Sequence, residues 1–186
     1  MTSLETNRLL LREWLPTDLA AFSAMNRDPD VMRYFPSQLT EDQSIAFYNR
    51  IQEHFDANGF GLFAVTIKDT QAFAGFTGFM IPSFETSFTP WVEIGWRFNK
   101  TYWNQGIANE AALACLKLGF TRLGFQEVVS FTSVHNHPSE KLMKRIGMQY
   151  KLSFMHPKLP ADHFLCEHVL YTLSKQQFLE RVTGLG

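Results

Sequence analysis

Cysteine is scarce in this chain, charge is nearly balanced, and long apolar runs are missing. The two cysteines, Cys115 and Cys166, lie far apart and match no metal-binding or redox spacing. They read as buried thiols in a reducing compartment, so no disulfide framework is expected. Lys and Arg number 17 against 18 Asp and Glu, a formal net charge of -1. That balance gives no basic excess for nucleic acid or for an anionic membrane surface. No apolar run approaches the roughly 18 to 20 residues of a membrane span. The opening "MTSLETNRLLLREW" mixes charge with apolar residues too early for a signal peptide. Repeats, low-complexity tracts and linkers are absent as well. Together these point to a cytoplasmic domain with no membrane role and no direct nucleic acid binding.

What is present is material for a core. Hydrophobic residues make up 45% and aromatics 15%, with 18 phenylalanines, in 186 residues. That length fits one domain, 1–186, large enough to bury a substantial interior. "RLLLREW" (8–14) alternates as a strand, and "LPTDLAAFSAMN" opens on a helix-start cluster. "RDPDVMRYFP" predicts two turns at Pro29 and Pro36. "TEDQSIAFYNRIQEHFDANG" is an amphipathic helix closed by Gly59. Strands follow at 61–68, 72–81 and 90–98, the first two joined by a hairpin-length connection. A largely buried helix, "IANEAALACLKLGFTRLG", precedes "EVVSFTSV", a strand. Next come a short helix in "HPSEKLMKRIG" and strands in "MQYKLSFMH" and "FLCEHVLYTL". "SKQQFLERV" is a terminal helix with a Ser174–Gln177 capping box. The order, β-α-α-β-β-β-α-β-α-β-β-α, is mixed α/β with an α+β-like character.

Between an apolar strand and the buried helix lies "YWNQGIANEAA" (102–112). A strand running through a short loop into a helix leaves first-turn N–H groups unpaired, and these with the helix dipole suit an anion. Gly106 and Ala108 keep that backbone accessible. A glycine before a helix is also an ordinary turn, and both readings stand on this stretch alone. Glu93 sits in the apolar strand "WVEIGWRF", on one face with Gly95 and Arg97 by alternation. A carboxylate there needs a wet cleft or a partner, which makes it a catalytic base or one half of an ion pair with Arg97 or Arg12. His135, His137, His163 and His168 form no spaced metal set, and no metal is expected. Phe84, Phe88 and Trp91 either line an acceptor groove or pack on their own loop, and Arg33 and Tyr34 are weaker acceptor candidates.

Several segments together resemble the GNAT superfamily of acetyl-CoA-dependent N-acetyltransferases, in particular its RimJ/RimL-like branch of ribosomal-protein-alanine acetyltransferases. "TNRLLLREW" is similar to that branch's first strand, and "RDPDVMRYFP" to the segment after its first helix. "VEIGWRFNKTYWNQGIANEAA" resembles the acetyl-CoA motif, "VHNHPSEKLMKRIGM" the motif that follows, and "VLYTLSKQQF" the terminal strand. One position departs from the superfamily pattern: Trp103 stands where Arg or Gln is usual, which suits the branch and removes any contact credited to those side chains.

The resemblance implies a GNAT fold: a twisted mixed sheet of about seven strands, splayed at the middle, with helices on both faces. It implies acetyl-CoA as co-substrate, with its pyrophosphate on Asn104, Gln105, Gly106, Ile107 and Ala108, and Asn109 alongside. Backbone groups of Trp96, Arg97 and Phe98 would pair with pantetheine as an added strand does. Asn136 would bind pantetheine, although a helix cap is its plainer role and compatible with it. Ser139 would protonate the leaving thiolate, or merely cap its helix. Glu93 would take the proton of the attacking ammonium through water. The acceptor would be a primary amine, on a protein N-terminus or a small molecule; a non-catalytic acyl-CoA-binding module is the other reading, and a homodimer stays open.

Overall fold

The computed structural model describes residues 3–86 and 91–184. Among them run β1 (Leu4–Glu5), β2 (Leu9–Arg12), α1 (Leu19–Arg27), α2 (Pro29–Met32), α3 (Glu41–Asn58), β3 (Leu62–Ile67) and β4 (Phe73–Met80). The chain continues through β5 (Glu93–Phe98), α4 (Ile107–Thr121), β6 (Glu127–Ser133), α5 (His137–Arg145), β7 (Gln149–Met155), β8 (Glu167–Ser174) and α6 (Lys175–Thr183). The eight strands form one mixed sheet in the order β1-β2-β3-β4-β5-β6-β8-β7, flanked by helices. About seven strands were expected; the additional one, β1, is two residues long, too short for alternation to register. The segment predicted as two turns holds the single helical turn α2, started by Pro29 and by the Asp28 carboxylate, which accepts from the Asp30 N–H at 2.9 Å.

By compactness the chain divides into two units, Met1–Met80 with Gly95–Cys115 and Ile81–Ile94 with Leu116–Gly186. In the first, α3 starts on a Thr40–Gln43 capping box and stops at Gly59 in the left-handed conformation, φ +73°. Its Tyr48 and Ile51 pack with Phe22 of α1 and Phe76 of β4 around Trp14. Trp14 satisfies its buried N–H on the Leu62 carbonyl at 2.6 Å. Arg12 forks onto Asp18 at 2.7 and 2.9 Å, tying β2 to the turn before α1. In β4, a Cβ on Gly75 would meet the Arg97 carbonyl oxygen at 2.2 Å, so the two backbones approach closely only because the residue is glycine.

In the second unit, β8 pairs antiparallel with both β6 and β7. Their shared face buries Val129 and Leu170 beneath Phe84, Trp91, Phe131, Leu152 and Phe154. β5 pairs parallel with β6 at Glu93 and Val129. The Ser174–Gln177 capping box starts α6. Helix α4 buries Ala111, Ala112, Cys115 and Leu116 and exposes Lys117 and Thr121, as its narrow polar stripe predicts. Burial pushes the Cys115 thiol up and out of reach of thiolate chemistry. Among the described residues, no helix is long and apolar enough to cross a membrane.

Candidate active site

In the first unit, β5 runs out at Phe98 into a tight sequence of turns leading to α4. Asn99 caps a single 3-10 turn, Lys100–Tyr102, by accepting from the Thr101 N–H at 3.0 Å. Trp103 then folds back, and its indole donates to the Phe98 carbonyl at 2.9 Å. Its role is therefore to brace the loop against the strand end, and the Phe98 carbonyl already has one partner. Asn104 and Gly106 both lie at positive φ, +60° and +76°. For Gly106 the constraint is conformational: an added Cβ would meet only Arg8 Nη2, at 3.5 Å. Ile107, Ala108 and Asn109 form the first turn of α4, where backbone N–H groups have no helical acceptor. The Asn109 side-chain oxygen is buried and without a hydrogen-bond partner among the described residues.

Two residues outside the sequence candidates hold this loop. Arg8 donates through Nη1 to the Gln105 carbonyl at 2.9 Å and through Nε to Glu110 at 2.7 Å. Glu110 also accepts from the Thr6 hydroxyl at 2.6 Å and the Arg8 N–H at 3.0 Å. Burial works against the Glu110 charge, but the bonds from Thr6 and Arg8 outweigh it and hold the carboxyl below its ordinary range. The Arg8 cation offsets a carboxylate that would otherwise repel an anion at the helix start. The partners are 102 residues apart in sequence, beyond what local pattern shows.

Arg97, expected to contribute its backbone, proves notable for its side chain. Nη1 donates to the wholly buried Asn26 at 2.6 Å, and Asn26 donates onward to Ser44 at 3.2 Å. The guanidinium carbon lies 4.1 Å from the Phe35 ring centroid, 5.4 Å from Phe76 and 5.7 Å from Phe47. Arg12 is committed to Asp18, and neither arginine is in an ion pair with Glu93.

In the second unit, Glu93 is partly covered, and its carboxylate makes no ion pair or hydrogen bond among the described residues. Removal from water pushes it up to about 8. Among the described residues the ion-pair reading of Glu93 finds no partner cation.

Asn136 starts α5, its oxygen accepting from the Ser139 N–H at 3.3 Å while its NH2 donates to Thr132 at 2.9 Å. Ser139 lies partly buried in the first turn. Phe84 packs on Phe131 and His156, at 5.5 and 4.7 Å between centroids, and Trp91 lies under the Lys151 ammonium at 4.2 Å. Phe88 falls outside the described residues. Of the site candidates, the first unit gathers Trp96 to Asn109 on one strand end, loop and helix start, and the second carries Glu93, Asn136 and Ser139.

Residues 8–149 match the family described as the acetyltransferase (GNAT) domain. The chain belongs to the GNAT acetyltransferase family. YnaD of Bacillus subtilis, an uncharacterized N-acetyltransferase, is 30% identical over 174 residues, covering 93% of this chain and 97% of its own. A GNAT-family acetyltransferase from Bacillus anthracis shares the fold with a TM-score of 0.78 at 27% identity, covering 94% of this chain and 99% of that one. Spermidine N-acetyltransferase from Vibrio cholerae, solved with CoA and spermine, superposes with a TM-score of 0.74 over 94% of this chain and 99% of its own. At 16% identity that likeness speaks for the fold alone. This GNAT protein is thus an acetyl-CoA-dependent N-acetyltransferase. Its positive-φ loop ahead of first-turn N–H groups that have no helical acceptor fits a phosphate-bearing donor.

Proposed function

We propose that this GNAT enzyme acetylates a primary amine by direct attack in a ternary complex, with Glu93 as general base and Ser139 as the proton donor to the departing thiolate. The RimJ/RimL-like motifs favour a protein N-terminal amine over a small molecule as acceptor. The observation that carries the reading is Glu93: a carboxyl without a counter-cation among the described residues, pushed up to about 8. An ammonium must lose a proton before its nitrogen can attack, and a base poised near the working pH does this best. A group already paired with arginine would be too weak a base.

The donor would be held by Asn104, Gln105, Gly106, Ile107, Ala108 and Asn109, where backbone N–H groups face a pyrophosphate without a Cβ in the way. Turning the Asn109 carboxamide over would offer it an N–H2 in place of the orphaned oxygen. Trp96, Arg97 and Phe98 would supply backbone groups to pantetheine, with Asn136 contributing the N–H that its two present bonds leave over. The thioester supplies an activated acetyl group. The amine nitrogen forms the new bond to its carbonyl carbon, the carbon–sulfur bond breaks, and the sulfur takes the proton that Ser139 relays.

The test is thiol release from acetyl-CoA with a panel of peptide N-termini and small amines. Turnover that falls by about a hundredfold or more in Glu93→Gln, with CoA affinity retained, is expected for a lost general base. Equal turnover by the two proteins would overturn the assignment of Glu93.

A further inference from the structure

Arg97 is a partly buried cation whose Nε is buried, with no anion beside it among the described residues. Its Nη1 is spent on Asn26, whose side chain is in turn anchored on Ser44, so the guanidinium is fixed in orientation. Rings of Phe35, Phe47 and Phe76 surround it. Nε is buried and has no partner, and no carboxylate lies within ion-pairing distance among the described residues. The undescribed segment 87–90, "SFTP", holds no acidic side chain. Burial pulls the group down to about 9, still cationic at neutral pH.

Leaving a guanidinium so placed costs stability, because a desolvated charge is tolerated chiefly where it is paired. Aromatic faces compensate above and below the guanidinium plane, whereas hydrogen-bond donors demand an acceptor in the plane. Nη1 being taken, the donors that remain together are Nε–H and the Nη2 hydrogen beside it. These two parallel N–H groups have the spacing of a carboxylate's two oxygens. Phe35, which lies closest over the guanidinium, is itself 37% exposed and sits in the bend after α2. It is not among the residues of the core cluster around Trp14.

We propose that the Nε–Nη2 edge of Arg97 receives a carboxylate carried by the amine acceptor, making Arg97 a specificity determinant for acidic or zwitterionic amines. The inference rests on the acetyltransferase reading and sharpens it by naming an acceptor class. It places the anion beside the strand end at Trp96 to Phe98, and it sets a cation against polyamine acceptors, which would be repelled.

Matched acceptors test this: Asp-Ala amide against Asn-Ala amide, and glycylglycine against glycylglycinamide, each with acetyl-CoA and thiol detection. The wild-type enzyme should prefer the carboxylate member of at least one pair by about ten- to a hundredfold in kcat/KM, the range for a charge-assisted pair. Arg97→Met should erase that preference by lowering the carboxylate member at least tenfold more than its amide counterpart, and Arg97→Lys, which keeps charge without the fork, should fall between. No preference in the wild type, or an equal loss on both members, would overturn the assignment and leave the transferase reading intact. If no amine is turned over, the transferase reading fails instead, and calorimetric titration with succinate decides for Arg97. Binding to the wild type that weakens at least tenfold in the lysine variant sustains the site; equal or absent binding rejects it. Thermal melting of each variant separates loss of fold from loss of the fork.

Discussion

Replacing Glu93 with glutamine should change how stability depends on pH, and the change can be worked out from the burial of the carboxyl. The native group is pushed up to about 8 from an ordinary 4.5. Between those values the folded chain holds a proton that the unfolded chain has released. A group raised in this way supports the fold fully below about pH 4.5 and loses that support as pH rises through about 8. The complete loss corresponds to about 5 kcal/mol, a ceiling because a partly covered carboxylate recovers some hydration. Between ~pH 6 and ~pH 9 the share lost is about 3 kcal/mol. Glutamine has the same shape and no proton to release, so Glu93→Gln should be spared this fraction and outlast the wild type in alkali. Urea unfolding at several pH values measures it directly, and the slope of wild type against variant is the quantity to compare. Parallel stability curves across that interval would refute the reasoning, since they require Glu93 to titrate alike folded and unfolded. The same proton appears in catalysis: wild-type kcat/KM should climb with pH towards about 8, and that limb should vanish in the residual activity of the variant.

Gly106→Val should weaken CoA binding, measured by calorimetry, because the left-handed backbone costs a β-branched residue on the order of 1–2 kcal/mol; unchanged affinity would remove the loop from the donor site. Glu110→Gln should loosen the Arg8 strap and raise KM for acetyl-CoA severalfold with kcat nearly unchanged, as expected of a residue that only positions the loop. His156 is pushed down to about 4 by burial and then by its neighbours His168 and Lys158. Its support is complete above its ordinary range near 6.5 and lost as pH falls towards about 4, so His156→Phe should flatten the acid limb of a melting-temperature profile.

The frame of the proposed donor loop was legible because it is local. A strand, a glycine loop and a helix start adjoin in sequence, so the turn at Gly106 and the helix start at 107–109 could be read from "YWNQGIANEAA". The cap of α5 at Asn136 was legible for the same reason. Glu93 was visible as an anomaly, a carboxylate in an apolar strand, but its surroundings were not: alternation offered Arg97 and Arg12 as partners, and both have other commitments. Thr6, Arg8 and Glu110 meet across more than 100 positions, and nothing in the opening strand points to α4. Asn26 and Ser44 looked like unremarkable helix residues, since a polar chain buried between helices has no sequence period. The eighth strand escaped because two residues carry no alternation.

Gly75 has no side chain and stands in a strand away from every motif, opposite Val65 of β3. Even so, any atom added there would collide with the Arg97 carbonyl at 2.2 Å and the Phe98 Cα at 2.7 Å. The position of the strand end that bears the anion fork is thus encoded partly in an empty space on the neighbouring strand. A mutational scan scored by activity should flag position 75 as strongly as the residues that touch substrate. A scan scored by contacts would pass over it, and a designer wishing to re-aim Arg97 would begin by filling that space.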